Sequence, residues 1–465
     1  MEGLIYAYGA PKSAAQQKFT QERLAAIAEQ RERRTLGQDR GQALERTTSN
    51  SSSLTVAPGV RDTITITRDP SYGEMDYARL PPPTPSSNSS SQSEIAHHNL
   101  LSNPFELRHG RRYLRELPYP LPVDLHEIQR QDLQTLLCTK VFGKLVCSPN
   151  VKEKGLERVL EIGCGSAYWS AMCHEYFASL GADNVSFTGL DVAPLAPDLK
   201  KQGVNWSFVQ HDLRRFPLPF EDEHFDLVMM KDMSLVLPEG MASQKLIDEC
   251  IRVLREGGTL EIWESDHVLR SLLPHPPAPM KQQVEQEAAT KTATFLVAAG
   301  TPFAPAQNKY LQQANAWIHE ALNRRKLPPM PCSRIGPILY QEPESLANFG
   351  SRRVAIPLGE LRWEGAKHSR HPSDVPQGKP KVSEKGQKAL TLEQAAIRQT
   401  ALISVLQFIE NLEPLLKEAS GKNTDEWSNW WASMMADLLD PSQASLGGEC
   451  LEIGAWWATK RTEDV

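Results

Sequence analysis

The sequence predicts an α/β fold: a mostly parallel sheet of seven strands with helices on both faces, elaborated by N-terminal and C-terminal helical segments. Three observations carry that reading. From Arg158 onward, short apolar runs alternate with helix-patterned stretches or long crossovers. The runs are apolar on both faces, as strands in the middle of a parallel sheet must be. The first of them ends in glycines that lead straight into a helix.

Taken in order, RVLEIGC at Arg158–Cys164 is a strand entering a glycine turn, and Ser170–Leu180 is the helix after it. NVSFTGLDV (Asn184–Val192), NWSFVQHD (Asn205–Asp212) and HFDLVMMKD (His224–Asp232) are the next three strands. Gln244–Leu254 is helical and turns at Glu256–Gly257–Gly258 into the strand TLEIWES. RRVAIPL (Arg352–Leu358) and LEIGAWWATK (Leu451–Lys460) complete the seven.

The flanking segments read as helices. Before the core, Leu125, Ile128, Leu133, Leu136 and Leu137 recur at near-helical spacing, with Asp124 placed to cap the start. After it, Lys309–Arg325 carries Leu311, Ala314, Ile318 and Leu322 on one stripe with Trp317 beside it. Leu390–Leu415 forms one helix or two, and Glu426–Leu439 places Trp427, Trp430, Trp431, Met434, Met435 and Leu438 on a broad apolar face that reads as core. Glu364–Lys388 is polar and reads as a long loop.

The first hundred residues have a different texture. Gln16–Arg33 can form a thin-striped helix, but TTSNSSSLT (Thr47–Thr55) and LPPPTPSSNSSSQS (Leu80–Ser93) bury little apolar area and lack donors at proline. Residues 1–97 are therefore expected to be a largely disordered tail, a linker or a protein-binding segment. A short piece such as TITIT at Thr63–Thr67 would need a partner surface to order it.

Composition narrows the function classes. The chain has 465 residues, 40% of them apolar, and its 57 acidic against 51 basic residues leave a formal charge of -6. A broadly basic nucleic-acid binder is excluded; Arg111–Arg112 and Arg324–Arg325–Lys326 are basic clusters too short for a footprint. Seven cysteines with no C-x-x-C pair argue against a disulfide framework and a zinc knot, and no His/carboxylate spacing suits a metal. Apolar windows at Thr294–Ala299 and Ala401–Ile409 fall far short of the roughly 20 residues that cross a bilayer. With no secretory leader and a poor mitochondrial one, the expectation is a soluble intracellular protein of cytoplasm or nucleus.

The chemistry concentrates in Glu161–Ile162–Gly163–Cys164–Gly165–Ser166–Ala167, followed by Asp191 at the end of the next strand. Gly163 and Gly165 let the backbone turn tightly and approach a ligand closely. Asp191 falls where a carboxylate can accept both ribose hydroxyls of a nucleoside cofactor. Tyr168 replaces the third glycine of the dinucleotide fingerprint, and no Gly-Lys-Ser/Thr loop occurs here. Glu161 would repel a pyrophosphate but suits a cation such as a sulfonium or an amine.

The series VLEIGCGSAYW, FTGLDV, FVQHDL, FDLVMMKD and VLREGGTLEIWE, over about Arg158–Ser265, resembles the motifs of class I S-adenosylmethionine-dependent methyltransferases, whose sheet is Rossmann-like. HGRRYLRELPYPLPVDLHEIQRQDL before that region and GAWWATKR after it are similar to fungal methyltransferases related to secondary-metabolism regulators. The resemblance implies one elaborated domain over residues 98–465: a nucleotide-binding core at 155–266, a helical cap or insertion at 267–345 and 364–445, and last strands near 351–359 and 450–460. It implies S-adenosyl-L-methionine as cofactor and a methyl acceptor, small molecule or protein, as partner. Glu161, Gly163, Cys164 and Gly165 would surround the methionine portion, Asp191 would hold the ribose and Val192 would flank the adenine. Asp212 and Leu213 would lie at the adenine, Lys231 and Asp232 would close the methionine side, and Tyr113 would reach over the cofactor. Ala167 stands where many relatives carry glycine.

Methyl transfer from a sulfonium needs an in-line nucleophile and exclusion of water, with a base only when the acceptor must lose a proton. His267, Glu264 and Asp232 are candidates for that base, and His211 and Asp266 also fall at or beyond strand ends; each reads first as a solvent-facing or cofactor-shell residue. Cys164 reads as a small packing residue rather than a nucleophile. The acceptor pocket is expected from Asn99–Val146, the segment after Ser265 and parts of Gly300–Ser351, with Trp169, Trp263, Trp317, Phe303 and Tyr310 as aromatic candidates. An active methyltransferase and a non-catalytic, cofactor-binding regulatory protein both fit these residues.

Overall fold

The structure, a computed structural model, describes residues 99–151, 155–274, 283–361, 363, 390–439 and 445–462. The expected helix at Gln16–Arg33, the run Thr63–Thr67 and the stretch Glu364–Lys388 lie outside these residues.

A hairpin of β1 (Phe105–Arg108) and β2 (Arg111–Leu114) precedes helix α1 (Leu125–Phe142). The core follows as β3 (Arg158–Ile162), α2 (Tyr168–Ser179), β4 (Ser186–Asp191), β5 (Trp206–Gln210), β6 (Phe225–Lys231), α3 (Met241–Val253) and β7 (Leu254–Ser265). Next come β8 (Arg270–Leu272), α4 (Gln283–Lys291), β9 (Phe295–Leu296), β10 (Phe303–Pro305), α5 (Lys309–Arg324) and α6 (Ile335–Leu339). The chain closes with β11 (Leu346–Pro357), α7 (Leu392–Asn411), α8 (Glu413–Ser420), α9 (Thr424–Leu439) and β12 (Glu449–Lys460).

Strands β5-β4-β3-β6-β7 pair in parallel in that order. β12 lies antiparallel beside β7, and β11 antiparallel beside β12, so among these seven strands β12 alone is reversed. This is the expected mostly parallel α/β sheet. Short antiparallel pairings of β8, β9 and β10 extend it to ten strands. Residues 267–345, expected to be helical, therefore mix helix with sheet edge. The expected turn at Glu256–Gly257–Gly258 is absorbed into β7, with Gly257 at φ +71° beside a register shift against β6.

Alternation along the strands builds two apolar layers. Val159, Leu227, Met229, Trp263 and Ile453 face α1, α2, α5, α7 and α9, while Leu160, Ile162, Val228, Met230 and Ile262 face α3 and α6. Leu390–Leu415 resolves into two helices because Pro414, in the first turn of α8, has no amide to continue the ladder. On α9, Trp427, Trp430, Met434 and Leu438 are buried, and Trp430 packs at 4.8 Å from Trp317 of α5 and 4.9 Å from Trp427.

Helix α1 begins as expected, with the Asp124 carboxylate accepting the Glu127 amide. Its buried face is not the expected leucine stripe. Leu125 is 67% exposed, whereas Glu127, Arg130 and Gln134 are buried with Leu137, Val141 and Phe142. A polar face can be buried only if each group finds a partner, and those partners form part of the site.

Candidate functional site

The order of parallel strands reverses between β3 and its neighbours β4 and β6, and crevices at the carboxyl ends of such strands are where ligands bind in open α/β sheets. The turn after β3 holds Gly163 at φ +63° and Gly165 at φ +51°. A Cβ on Gly163 would stand 2.6 Å from Met233 Sδ, so glycine is required there for shape as well as for φ. Ala167 adopts the same left-handed geometry at φ +57°, a conformation that costs a side chain about 1 kcal/mol.

Asp191, half-buried at the end of β4, ties this turn down. Its Oδ2 accepts the Gly165 amide at 3.0 Å and its Oδ1 accepts the Ala193 amide at 3.1 Å. Burial pushes its carboxyl pKa up, and the amides of Gly165, Ala193 and Val192 pull it back.

Above the turn opens a cavity whose empty space, counted out into open solvent, is about 1030 Å³. Gly163, Cys164, Gly165, Asp191, Val192, Asp212, Leu213, Lys231 and Asp232 all line it, so the structure brings these expected residues together. Cys164 is buried with its thiol pKa pushed up by burial, as suits a packing residue. Asp212 is engaged by Arg214 through Nε and Nη2 at 2.7–3.1 Å.

Two expected residues stand elsewhere. Glu161 does not line the cavity: it is fully buried beneath the turn, its carboxylate held by Lys231 Nζ at 2.8 Å and Ser170 Oγ at 2.6 Å. Strand alternation sends its side chain toward α2, so it anchors Lys231 rather than facing the ligand. Burial works against the Lys231 charge, yet Glu161 outweighs it and the pKa ends up raised. Tyr113 is also outside the lining; Arg108 stacks on its ring at 4.6 Å, and Leu114, Leu117, Tyr119 and Val123 reach the cavity from that segment instead.

Sequence reasoning missed Gln131, Asp132 and Thr135 of α1, where Asp132 accepts from Ser166 Oγ of the glycine turn at 2.6 Å. The signal was their helical spacing on α1, hidden because a buried polar face looks like a solvent face. Asp212 is matched by Arg214 and Lys231 by Glu161, which leaves Asp132, Asp191 and Asp232 as an acidic surplus. Such a cavity favours a cationic ligand.

A second cavity, about 660 Å³ of empty space counted out into open solvent, shares Tyr119, Gln131 and Asp232 with the first. Its walls are mostly apolar, from Leu121, Leu235, Leu269, Ile318, Val405, Phe408, Ile409 and Leu451. Several of its polar groups are tied in place, while Asp266 Oδ2 is buried without a hydrogen-bond partner. Arg130 pairs with Glu127 through two bonds of 2.8 and 2.7 Å, Gln131 Nε2 donates to Tyr119 Oη at 3.1 Å, and Asn411 donates to Glu127. Gln134 donates to Ser265 Oγ at 2.8 Å and accepts from Ser404 Oγ at 2.6 Å.

His267 lines this second cavity, stacked on Phe408 at 5.3 Å, with Arg130 over the same ring at 5.5 Å. Burial, then the Arg130 charge, lowers its pKa to about 3. Glu264 lies outside both cavities, joined to His267 through Ser234 and lining a third cavity of about 650 Å³. Asp232 sits at φ +52°, its carboxyl pKa pushed up by burial while Lys231 and Arg130 pull it down. Of the expected aromatics, Trp169 alone lines the first cavity. Trp263 packs on Phe142, Trp317 and Tyr310 pack on Trp430, and Phe303 edges a separate surface pocket. Of the basic clusters, Arg111 pairs with Asp124 at 2.7 Å and Arg324 with Glu320 at 2.5 Å. His211 is held to Arg215 O at 2.9 Å.

Residues 159–258 match the family model described as a methyltransferase domain. Over that stretch the chain is similar to a class I S-adenosylmethionine-dependent methyltransferase domain. It is 29% identical over 170 residues to methyltransferase pytC of Aspergillus terreus, which is 36% of this chain and 48% of the relative. It is 25% identical over 152 residues to methyltransferase str2 of Strobilurus tenacellus, 33% of this chain and 50% of that one. The chain thus spans about half the length of the curated relatives it matches. Among solved structures, phosphoethanolamine N-methyltransferase 2 of Haemonchus contortus, bound to phosphomonomethylethanolamine and S-adenosylhomocysteine, covers 81% of this chain and 75% of its own at 11% identity. Its TM-score of 0.32 is too loose to transfer any residue role. Among the described residues, no helix is long and apolar enough to cross a membrane.

Proposed function

We propose that this protein transfers a methyl group from S-adenosylmethionine to a small, largely apolar acceptor, with residues 98–465 acting as one unit. The observation that carries this reading is the meeting of the two cavities at Tyr119, Gln131 and Asp232. The first has the features the cofactor asks for: a glycine turn with no side chain in the way, a strand-end carboxylate, apolar walls and surplus negative charge. Asp191 would hold the ribose, Val192 and Leu213 the adenine, and the Gly163–Gly165 backbone the methionine portion. Asp132 and Asp232 would balance the positive sulfur.

Bound there, the cofactor supplies an electrophilic methyl group. The chain's own contribution is position and dryness. Lys231, pinned by Glu161, closes one side, and Tyr119 with Gln131 marks the border where an acceptor would meet the cofactor. Holding two reactants in line is worth several kcal/mol of barrier by itself. The apolar walls of the second cavity favour a small molecule over a protein.

The test is a screen with radiolabelled methyl-S-adenosylmethionine over a small-molecule extract and, separately, over extract proteins. A discrete labelled small molecule is the expected product. Label confined to protein would refute the acceptor class, and no label above a no-enzyme control would favour a cofactor-binding regulatory protein.

A further inference from the structure

His267, Ser234 and Glu264 lie in series between the second and third cavities. Ser234 Oγ donates to Glu264 Oε2 at 2.7 Å and lies 3.1 Å from His267 Nε2, while the Ser234 amide donates to Glu264 Oε1 at 2.9 Å. All three side chains are buried. Among the described residues, the other imidazole nitrogen, Nδ1, has no hydrogen-bond partner, and His267 lines the cavity proposed for the acceptor. Ser234 and Glu264 line the cavity on the far side.

Hydrogen-bond polarity ties the three together. With Glu264 ionised, the serine proton points to the carboxylate, so Nε2 must carry the imidazole proton and Nδ1 presents a lone pair. With Glu264 protonated the chain reverses, Ser234 donates to Nε2, and Nδ1 carries the proton.

Resting on the methyl-transfer reading, we infer that His267, Ser234 and Glu264 form a proton relay that deprotonates a weakly acidic O–H acceptor, a phenol or enol, in the second cavity. The acceptor proton passes to His267 Nδ1, the Nε2 proton to Ser234 Oγ, and the serine proton to Glu264. The acceptor oxygen keeps the electron pair of its O–H bond and uses it to bond the methyl carbon as the carbon–sulfur bond breaks toward sulfur. The imidazole stays neutral throughout, which suits a ring that burial and Arg130 keep from charging. Arg130 lies over the Phe408 ring beside His267, with its charge taken up by Glu127. His267 is the catalytic base; Ser234 and Glu264 are positioning residues that act through it.

Other charges bear on the relay. Burial, then the Asp232 carboxylate, pushes the Glu264 pKa up, while the Ser234 and Met233 donors pull it down. Arg130, paired with Glu127, acts on His267 from α1, and Asp266, its Oδ1 taken by the Cys332 amide, lies on the same cavity wall as His267. A raised carboxyl is the better proton acceptor near neutral pH.

The experiment reads the imidazole tautomer. In the full chain labelled with nitrogen-15 histidine, two-bond proton–nitrogen spectra assign His267 among the 12 histidines by its loss in His267→Gln. Between pH 5.5 and pH 9.5 the His267 proton is expected to move from Nδ1 to Nε2 without an imidazolium state. Ser234→Ala and Glu264→Gln should abolish the switch, and Ser234→Thr, which keeps the hydroxyl, should restore it. One tautomer throughout, or a switch that survives Ser234→Ala, overturns the relay. These spectra need neither cofactor nor acceptor, so failure of the methyl-transfer reading is seen separately as absent labelling and absent cofactor binding. Any labelled product should release its methyl as iodomethane in hot hydriodic acid, as O-methyl groups do. Retention of the label, the mark of carbon methylation, or a methylated amine overturns the acceptor class.

Discussion

The Asp191 carboxylate accepts the amide hydrogen of Gly165 at 3.0 Å, across 26 residues of chain. The end of the second parallel strand thereby holds closed the turn that follows the first. Its other oxygen takes the Ala193 amide, so the acid is fixed in direction while each oxygen keeps a lone pair for a further donor. A ligand hydroxyl pair would meet a carboxylate already oriented, which spares the entropy of arranging it on binding.

The glycine turn should tolerate no added methyl at Gly163. A Cβ there would approach Met233 Sδ to 2.6 Å at φ +63°. Gly163→Ala is expected to lose about 1–3 kcal/mol of unfolding free energy, the usual cost of overpacking. Denaturant unfolding of the variant measures it, and a second change, Met233→Ala, should return part of the loss by making room.

Lys231 and Glu161 are buried partners with 12% and 0% side-chain exposure. Lys231→Met removes the cation and leaves Glu161 uncompensated, at an expected cost of about 3–5 kcal/mol. The double variant Glu161→Gln/Lys231→Met should be more stable than Lys231→Met alone. A double-mutant cycle on unfolding free energies reads the coupling directly.

His267 gives stability a pH dependence whose sign is fixed. Its folded pKa is lowered to about 3, so below the ordinary histidine value of about 6.5 the unfolded chain binds a proton that the folded protein refuses. Stability is therefore lost as pH falls from about 6.5 toward 3, by about 1.4 kcal/mol per pH unit from this group. Buried Asp266, raised to about 6, acts in the opposite direction over part of that window. The comparison is thus between wild type and His267→Gln: the variant should gain on wild type with each step below pH 6.5 in urea melts.

Much of this arrangement could be read from residue patterns alone, and the exceptions have physical causes. The parallel strands and the glycine turn announced themselves because both-face burial and φ > 0 leave few residue choices. Glu161 misled because a strand acid beside a glycine turn can face the ligand or the helix beneath, and only the position of Ser170 and Lys231 decides. The face of α1 misled for the converse reason: Glu127, Arg130 and Gln134 look solvent-facing until Asn411, Ser265 and Ser404, remote in sequence, supply their partners. The second cavity and its Ser234 link could not be seen from spacing, since they join three elements at a distance no local pattern encodes.

The tryptophans of α9 are core rather than ligand platform. Trp430 is buried against Trp317 and Trp427, and its Nε1 donates to Gln313 at 2.7 Å. Trp430→Ala should cost about 3–5 kcal/mol of stability, the usual loss for a large buried aromatic. Cofactor affinity of the fraction that remains folded should be unchanged, which equilibrium dialysis at low temperature can read.

The most direct measurement is calorimetric titration of S-adenosylmethionine into the full chain and into its Asp191→Asn variant, each first checked for folding by circular dichroism. Saturable one-site binding in the wild type, weakened at least about tenfold by loss of the carboxylate charge and one acceptor, is the expected result. Absence of binding in the folded wild type, or equal affinity in the two proteins, would contradict the assignment of this cavity to the adenosyl sulfonium.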